Sequence, residues 1–176
     1  MLYPVPSPAN GVTLAGLRAL LLAPWQAGAT YSYLSAAKST VTGFAGLTGW
    51  QRIEAPLDGS QFGEAISKGK NGRVSAQSIS IVLAGLAAPQ RTAVESLIEA
   101  GPIVALCQDF RLQWWLYGQD FGLVVPTVAN TSGPFRGDST QSIAISGTQR
   151  SAARLIAQSR INLLYNRATV FAQAPA

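Results

Sequence analysis

The sequence from Val104 to Leu123 reads VALCQDFRLQWWLYGQDFGL, and it predicts more about the fold than any other stretch of the chain. An apolar run ends at a polar group around Asp109, and an aromatic run that includes Trp114 and Trp115 follows it. Short apolar and aromatic runs separated by polar turn residues are typical of neighbouring strands. The stretch therefore predicts two strands joined by a turn.

The residues just before this stretch predict an amphipathic helix over 89–100. Pro89 suits a first helical turn, and Gly101-Pro102 ends the pattern. Four apolar residues share one helical face: Ala93, Val94, Leu97 and Ile98. We therefore expect one helix between two groups of strands.

Upstream of this helix the chain predicts further strands. The apolar run from Leu17 to Leu22 predicts the first of them. Residues 25–49 hold many small side chains and read as a long loop or as irregular strands. Residues 50–55 and 61–66 flank the pair Asp58-Gly59, which suits a tight turn, and together they predict a hairpin.

A further hairpin turn is predicted at Asn71-Gly72, within the basic stretch 68–73. The strand that follows, Val74 to Leu86, has three apolar residues on one face: Ile79, Ile81 and Leu83. Val74 and Ala76 fall on the other face. This mismatch predicts a bulge or a change of burial near Gln77 or Ser78.

The whole pattern predicts a mainly β (α+β) fold, an antiparallel β-sandwich or partly open barrel with one flanking α-helix and extended terminal arms. A last alternating strand spans Ser139 to Gly147, with two isoleucines, Ile143 and Ile145, on one face. We expect an N-terminal arm over 1–15, a β-domain over 16–150, and a basic C-terminal extension over 151–176 that is a short helix or an extended arm.

The composition argues against catalysis. The chain has no histidine, which is the commonest general base near neutral pH and the commonest metal ligand. Its single cysteine, Cys107, lies in an apolar run and is expected to be a buried, inert side chain. We expect no enzyme activity, no cofactor and no metal. No apolar stretch reaches the length of a membrane span, so we also expect no membrane partner.

Two aspartates flank the tryptophans, and paired carboxylates are able to carry out acid-base chemistry. Asp109 and Asp120, however, stand at the ends of the predicted strands beside polar turn residues. Aspartate in such a position ordinarily stabilises a turn. We therefore expect both to be structural.

The net charge of +5 comes from the end of the chain. From Gln141 onward there is no acid, and there are four arginines: Arg150, Arg154, Arg160 and Arg167. These arginines are the candidate contacts if the protein is a nucleic-acid-binding β-barrel. Deleting residues 150–176 would then abolish salt-dependent binding of DNA.

Charged residues make up only 12% of the chain, so its surface is easily desolvated. A surface of this kind favours extensive protein contacts, and we expect a homo-oligomer. The adjacent Trp114 and Trp115 must point to opposite faces of a strand. Together with Tyr31 and Tyr33, they are the candidate subunit contacts.

The helix, the Gly-Pro stop, the apolar strand, the aspartate turn and the run WLYGQDFGL from Trp115 to Leu123 resemble a family of tail tube-like proteins from tailed bacteriophages. The resemblance covers roughly 73–150, with a weaker likeness at 16–20. It implies a β-sandwich with one flanking helix, assembled as stacked hexameric rings through which DNA passes. Segments 1–15, 25–48 and 148–176 would be candidates for contacts between rings.

The resemblance implies a virion structural protein of the tail, made in the host cytoplasm, with other virion proteins as partners and with DNA passing through the lumen without specific binding. A head-tail connector, a tail terminator or a capsid decoration protein is the alternative within this class. The tube interpretation requires the four arginines to lie away from the channel, because basic residues that line it would retain DNA.

Overall fold

A computed structural model describes residues 16–34, 38–54, 59–69, 72–84, 92, 95–96, 99–131 and 140–173. Most of these residues are in strands, which confirms the predicted mainly β fold. The strands are β1 (Ala19–Pro24), β2 (Thr30–Tyr33), β3 (Thr40–Ala45), β4 (Gln51–Glu54), β5 (Gln61–Gly69), β6 (Gly72–Ala84), β7 (Ile103–Gln108), β8 (Trp114–Tyr117), β9 (Val124–Thr131), β10 (Thr140–Gln149), β11 (Arg154–Ile156) and β12 (Thr169–Gln173).

The strands form two sheets. The large sheet has eight strands in the order β12-β4-β1-β7-β8-β11-β3-β2, and the small sheet has four in the order β5-β6-β10-β9. The small sheet is antiparallel throughout. In the large sheet β11 pairs with β3, and β12 with β4, in parallel.

Two apolar clusters hold the layers together. The first lies between the sheets and joins residues of the large sheet, such as Leu20 and Tyr117, to Ile81 and Ile145 of the small sheet. The second lies on the opposite face of the large sheet, where the helix Gln158–Arg167 packs through residues such as Ile161. Successive residues of β1 point alternately into the two clusters, so this strand is buried on both faces.

The stretch 104–123 folds as its sequence predicts. Strands β7 and β8 are antiparallel neighbours, with Ala105 opposite Tyr117 and Gln108 opposite Trp114. Strand β10 also confirms the predicted alternation, because Ile143 and Ile145 are buried while Ala144 between them is exposed. The first strand begins two residues later than its apolar run predicts.

The predicted hairpin between 50–55 and 61–66 is wrong. Strand β4 lies beside β1 in the large sheet, whereas β5 belongs to the small sheet. The Asp-Gly pair indicates only that the chain can turn there. Strand β5 instead pairs with β6 over its whole length, through the predicted hairpin turn at Gly69 and Gly72.

The predicted bulge near Gln77 or Ser78 is also wrong. Strand β6 keeps an unbroken register with both β5 and β10 across these residues. Ser75 and Gln77 are buried on the same face as Ile79, and hydrogen bonds compensate the burial of their polar groups. Ser75 and Gln77 belong to the same buried face as the isoleucines, but their polar side chains interrupt the apolar pattern from which that face was predicted.

Residues 25–49 contain the hairpin of β2 and β3, which are paired from Thr30–Ala45 to Tyr33–Val41. Residues 151–173 contribute β11, the helix Gln158–Arg167 and β12 to the large sheet and its cover. Of the helix predicted over 89–100, residues 92, 95, 96 and 99 are described and are helical. The arm predicted over 1–15 lies outside the described residues.

Candidate assembly surfaces

The small sheet has two long edges. Within the part of the chain that the structure describes, β5 has only β6 as a neighbour, and β9 has only β10. Strand β9 contains Pro126, a residue that sheets admit on edge strands because it cannot donate a ladder hydrogen bond. Long edges of this kind present backbone donors and acceptors to another chain.

The outer face of the small sheet carries no formal charge at its described positions. Small side chains predominate on it, together with the larger Gln61, Val74, Val82 and Val124: Gly63, Ala65, Ser67, Ala76, Ser78, Ser80, Thr127, Ala129, Ser142, Ala144, Ser146 and Thr148. Lys68 and Arg73 at the hairpin tip alternate with these residues and belong to the opposite face. The sheet thus has one apolar buried face and one smooth, neutral outer face.

The arginines of the last segment are outside the strands of the small sheet, and Arg150 directly follows β10. The guanidinium of Arg150 sits 5.4 Å from the ring centroid of Phe121, in a cation–π contact. Arg154 is in β11 of the large sheet, and Arg167 ends the helix on the far side of that sheet. For Arg160 the helical position is described, but its side chain is not. Arg150, Arg154 and Arg167 thus belong to three different parts of the fold: the segment after β10, β11 and the end of the helix.

The candidate contact residues Trp114 and Trp115 point to opposite faces of β8, as the sequence predicts. Trp114 is only 4% exposed and packs beneath the helix, with its ring centroid 6.2 Å from that of Tyr165. Trp115 packs against the cluster between the sheets, and its indole N–H donates to Asp109 Oδ2 at 3.1 Å. Both rings therefore contribute to the core of a single copy.

The other two candidates, Tyr31 and Tyr33, lie on β2, an edge of the large sheet. Both are half-buried against the cluster beneath the helix. Burial, aided by the nearby Tyr33 and Asp120, raises the pKa of Tyr31 to about 12, so this phenol is neutral at physiological pH. The Gln119 amide donates a hydrogen bond to the Tyr33 hydroxyl and ties this edge to the turn after β8.

That turn, residues 118–123, is held by two buried glutamines that sequence reasoning missed. Gln149 Oε1 accepts the backbone N–H groups of Asp120 and Phe121, each at 3.0 Å, and its Nε2 donates to the Gly122 carbonyl at 2.7 Å. Gln77 Oε1 accepts the Gly118 N–H at 2.9 Å. Side chains of the small sheet thus supply the hydrogen-bond partners of this turn's backbone groups.

Two carboxylates extend this polar network. Asp120 accepts the backbone N–H of Ser151 at 2.6 Å and its hydroxyl at 3.1 Å. Glu64 accepts the Ser75 hydroxyl and the Ala153 N–H, the latter at 2.8 Å. They fix the start of the segment that leads to β11, so Asp120 is structural as expected, but it holds a distant segment and not its own turn.

The turn between β7 and β8, residues 109–113, is held by Asp109 in the predicted way. Its Oδ1 accepts the backbone N–H groups of Arg111 and Gln113, each at 2.9 Å. Leu112 in this turn has a φ of 65°, a left-handed conformation that costs energy for a residue with a branched side chain. Both carboxylate oxygens of Asp109 therefore accept hydrogen bonds, one from the backbone of the turn and the other from the Trp115 indole.

Cys107 is fully buried, and desolvation raises the pKa of its thiol well above the ordinary value.

A groove of about 470 Å³ lies between the helix and the large sheet, lined by side chains that include Arg18, Gln108 and Tyr165. Among the described residues there is no group of three metal-ligating side chains. None of the described helices has the length and apolar character needed to cross a membrane.

No protein-family model matches the chain, and no curated protein matches it. Among solved structures, the chain is similar to one from the structure described as "Virion of native gene transfer agent (GTA) particle". The identity is 14%, the match covers 82% of this chain and 87% of that one, and the TM-score is 0.33. At this TM-score the likeness carries no argument, and the interpretation below rests on the geometry of the sheets.

Proposed function

We propose that this protein is a virion structural protein of a tailed phage, without catalytic activity, whose copies close into rings and stack into a tail tube. The observation that carries the proposal is the four-stranded small sheet, which, among the residues that the structure describes, is open at both edges and neutral on its outer face. Joining the edges of successive copies satisfies them, and a closed barrel leaves no edge exposed.

The strand directions suit this closure. In the order β5-β6-β10-β9 every neighbour is antiparallel, so β5 and β9 run in opposite directions. A copy related by rotation about an axis along the strands therefore brings its β5 antiparallel to β9 of the first copy. The same pairing repeats around the ring, as a head-to-tail interface that closes requires.

The size of such a barrel suits a channel. Six four-stranded sheets, at a strand spacing of about 4.8 Å and a tilt of about 35 to 45°, give a backbone diameter of about 45 to 52 Å. In the proposed barrel the large sheet lies outside, packed on the small sheet through the cluster between them, and the neutral face of small residues lines the lumen. A neutral wall lets DNA pass because it releases no counterions from the phosphates.

Edge pairing is tested by placing one lysine on each edge strand. The double substitution Ala65→Lys and Ala129→Lys changes exposed small residues of β5 and β9. We expect the variant to remain monomeric where the wild type forms rings, because a lysine on each edge strand disfavours edge-to-edge pairing. Its free energy of unfolding should change by less than about 1 kcal/mol, as is usual for surface substitutions. Negative-stain microscopy and size-exclusion chromatography report the assembly.

The matched control carries the same two charges on the same face, but on the inner strands β6 and β10. The substitutions Ala76→Lys and Ala144→Lys leave both edges unchanged, so this variant should form rings as the wild type does. Rings from the edge variant, or a wild type that stays monomeric at high concentration, would contradict the proposal.

The control variant also tests the neutral channel. Tubes that carry Ala76→Lys and Ala144→Lys would present lysines to the lumen, and we expect them to retain DNA at about 50 mM salt and to release it as salt rises. Wild-type tubes should show no such retention. Retention by the wild type, or an absence of retention by the variant, would place another face of the protein in the lumen.

A further inference from the structure

Two turns at opposite ends of β8 present apolar side chains to solvent. We propose that they are the two halves of one contact between stacked copies: the turn 109–113 of one copy packs against the turn 118–123 and the adjoining Val124 of the next. The inference rests on the proposed tube and names the residues that join its rings. Residues 109–113 are the first turn, and residues 118–123 are the second turn.

Both turns expose large apolar side chains to a similar degree. In the first turn Phe110 is 45% exposed and Leu112 is 44% exposed, while at the second turn Phe121 and Val124 are each 49% exposed. Burying these side chains in the single copy would stabilise it, yet the fold leaves them outside. Exposed apolar groups of matched size on two ends of one molecule are complementary to each other.

Both turns are rigid before any contact forms. The Asp109 carboxylate accepts two backbone N–H groups of the first turn, and the buried Gln149 amide makes three hydrogen bonds to the second. Rigid presentation lowers the entropy that association costs. Aromatic side chains such as Phe121, on a preorganised support, are typical centres of a protein interface.

The backbone of the first turn is also strained, and no burial within the single copy offsets that strain. Leu112 adopts a left-handed φ of 65°, where asparagine or glycine would fit more easily, and its side chain remains largely exposed. Strain at an exposed apolar residue points to a function outside the fold of one copy. A contact with a second copy would bury the leucine.

The positions of the two turns give the direction of the contact. At one end, Leu17 N–H donates to the Ser60 carbonyl and Val82 N–H to the Ser60 hydroxyl, next to the first turn. At the other end, Gln77 and Gln149 of the small sheet bind the second turn. Gln149 is the last residue of β10, whereas Gln77 lies midway along β6, so the two turns lie towards opposite ends of β10 and the β5–β6 hairpin extends beyond the second turn. A contact that joins the turns repeats along the barrel axis without closing.

The test uses two complementary variants. The first-turn variant carries Phe110→Ser and Leu112→Asn, and asparagine tolerates the left-handed conformation. The second-turn variant carries Phe121→Ser and Val124→Thr. Val124 is the first residue of the edge strand β9, but threonine keeps the backbone groups of that edge, so each variant alone should form single rings and lose stacking, as seen by negative-stain microscopy.

Mixing preformed rings of the two variants gives the decisive result. Each keeps one intact half of the contact, so one intact junction is possible between them and no further ring can add. We expect paired rings in the mixture, while each variant alone gives single rings. A control, Ile66→Ser, removes a side chain that is 54% exposed outside both turns and outside the segments 25–48 and 148–176, and it should stack as the wild type does.

A disulfide measures the contact without relying on rings. Oxidation of a variant with Leu112→Cys and Phe121→Cys should give a ladder of linked copies on a non-reducing gel, whereas Leu112→Cys with Ile66→Cys should not. A ladder without rings would refute the tube and support the contact. Rings that stack normally in both turn variants, or a ladder absent from stacked rings, would overturn the contact and leave the tube.

Discussion

Replacing Gly118 by alanine is expected to lower the free energy of unfolding by about 3 kcal/mol or more. Gly118 has a φ of 78°, which disfavours any side chain, and a Cβ at this position would lie 2.8 Å from the Ile103 carbonyl oxygen and 3.0 Å from Leu123 Cγ. The carbonyl accepts the Leu123 N–H at 2.7 Å, so it is unable to move without breaking that bond. Urea denaturation measures the change.

Gly101→Ala is the matched control for this glycine. Gly101 has a φ of 74°, close to that of Gly118, but no described atom lies within 4 Å of the Cβ position. It should therefore lose only the backbone term, about 1 kcal/mol. Equal losses from the two substitutions would show that the contact with Ile103 does not matter.

Replacing Gln149 by leucine is expected to cost about 3 to 5 kcal/mol, although the two side chains have similar volumes. Gln149 is 1% exposed and makes three hydrogen bonds to the turn 118–123. Leucine would leave two N–H groups and one carbonyl near the core without these partners, and each buried unpaired group costs about 1 to 3 kcal/mol. The midpoint of chemical denaturation should fall accordingly.

Thr148→Leu serves as the control for Gln149, because Thr148 is the exposed neighbour on the same strand. It should change the free energy of unfolding by no more than about 0.5 kcal/mol. A Gln149→Leu variant as stable as the wild type would mean that water replaces the glutamine in holding the turn. The second turn would then not be rigid, which would weaken the proposed contact between rings.

Local patterns predict the strands well where side chains alternate between core and solvent. The run 104–123, the alternation at Ile143 and Ile145, and the hairpin turn before β6 are confirmed. Each depends on residues close in sequence, because the two-residue period of a strand and the chemistry of a turn are local properties. The role of Asp109 at its turn also follows from local chemistry, whereas Asp120 binds Ser151, 31 residues away along the chain.

The candidate surfaces are less visible in the sequence. Trp114, Trp115, Tyr31 and Tyr33 stand out as aromatic residues, yet the structure packs the two tryptophans inside the single copy. Whether these four residues also contact other subunits remains a prediction. The neutral outer face consists of alanine, serine, threonine and glycine, residues too common to mark a site, and it emerges only when four strands lie side by side.

By itself the sequence determined a mainly β chain with a strand pair at 104–123 and no histidine for catalysis, since composition and short-range periodicity need no knowledge of partners. Only the tertiary structure decided that β4 and β5 part into different sheets and that Gln77 and Gln149 are buried. A buried glutamine is stable only where hydrogen-bond donors and acceptors satisfy its amide. Those that Gln149 binds lie 27 to 29 residues away along the chain, so only the folded structure brings them to it.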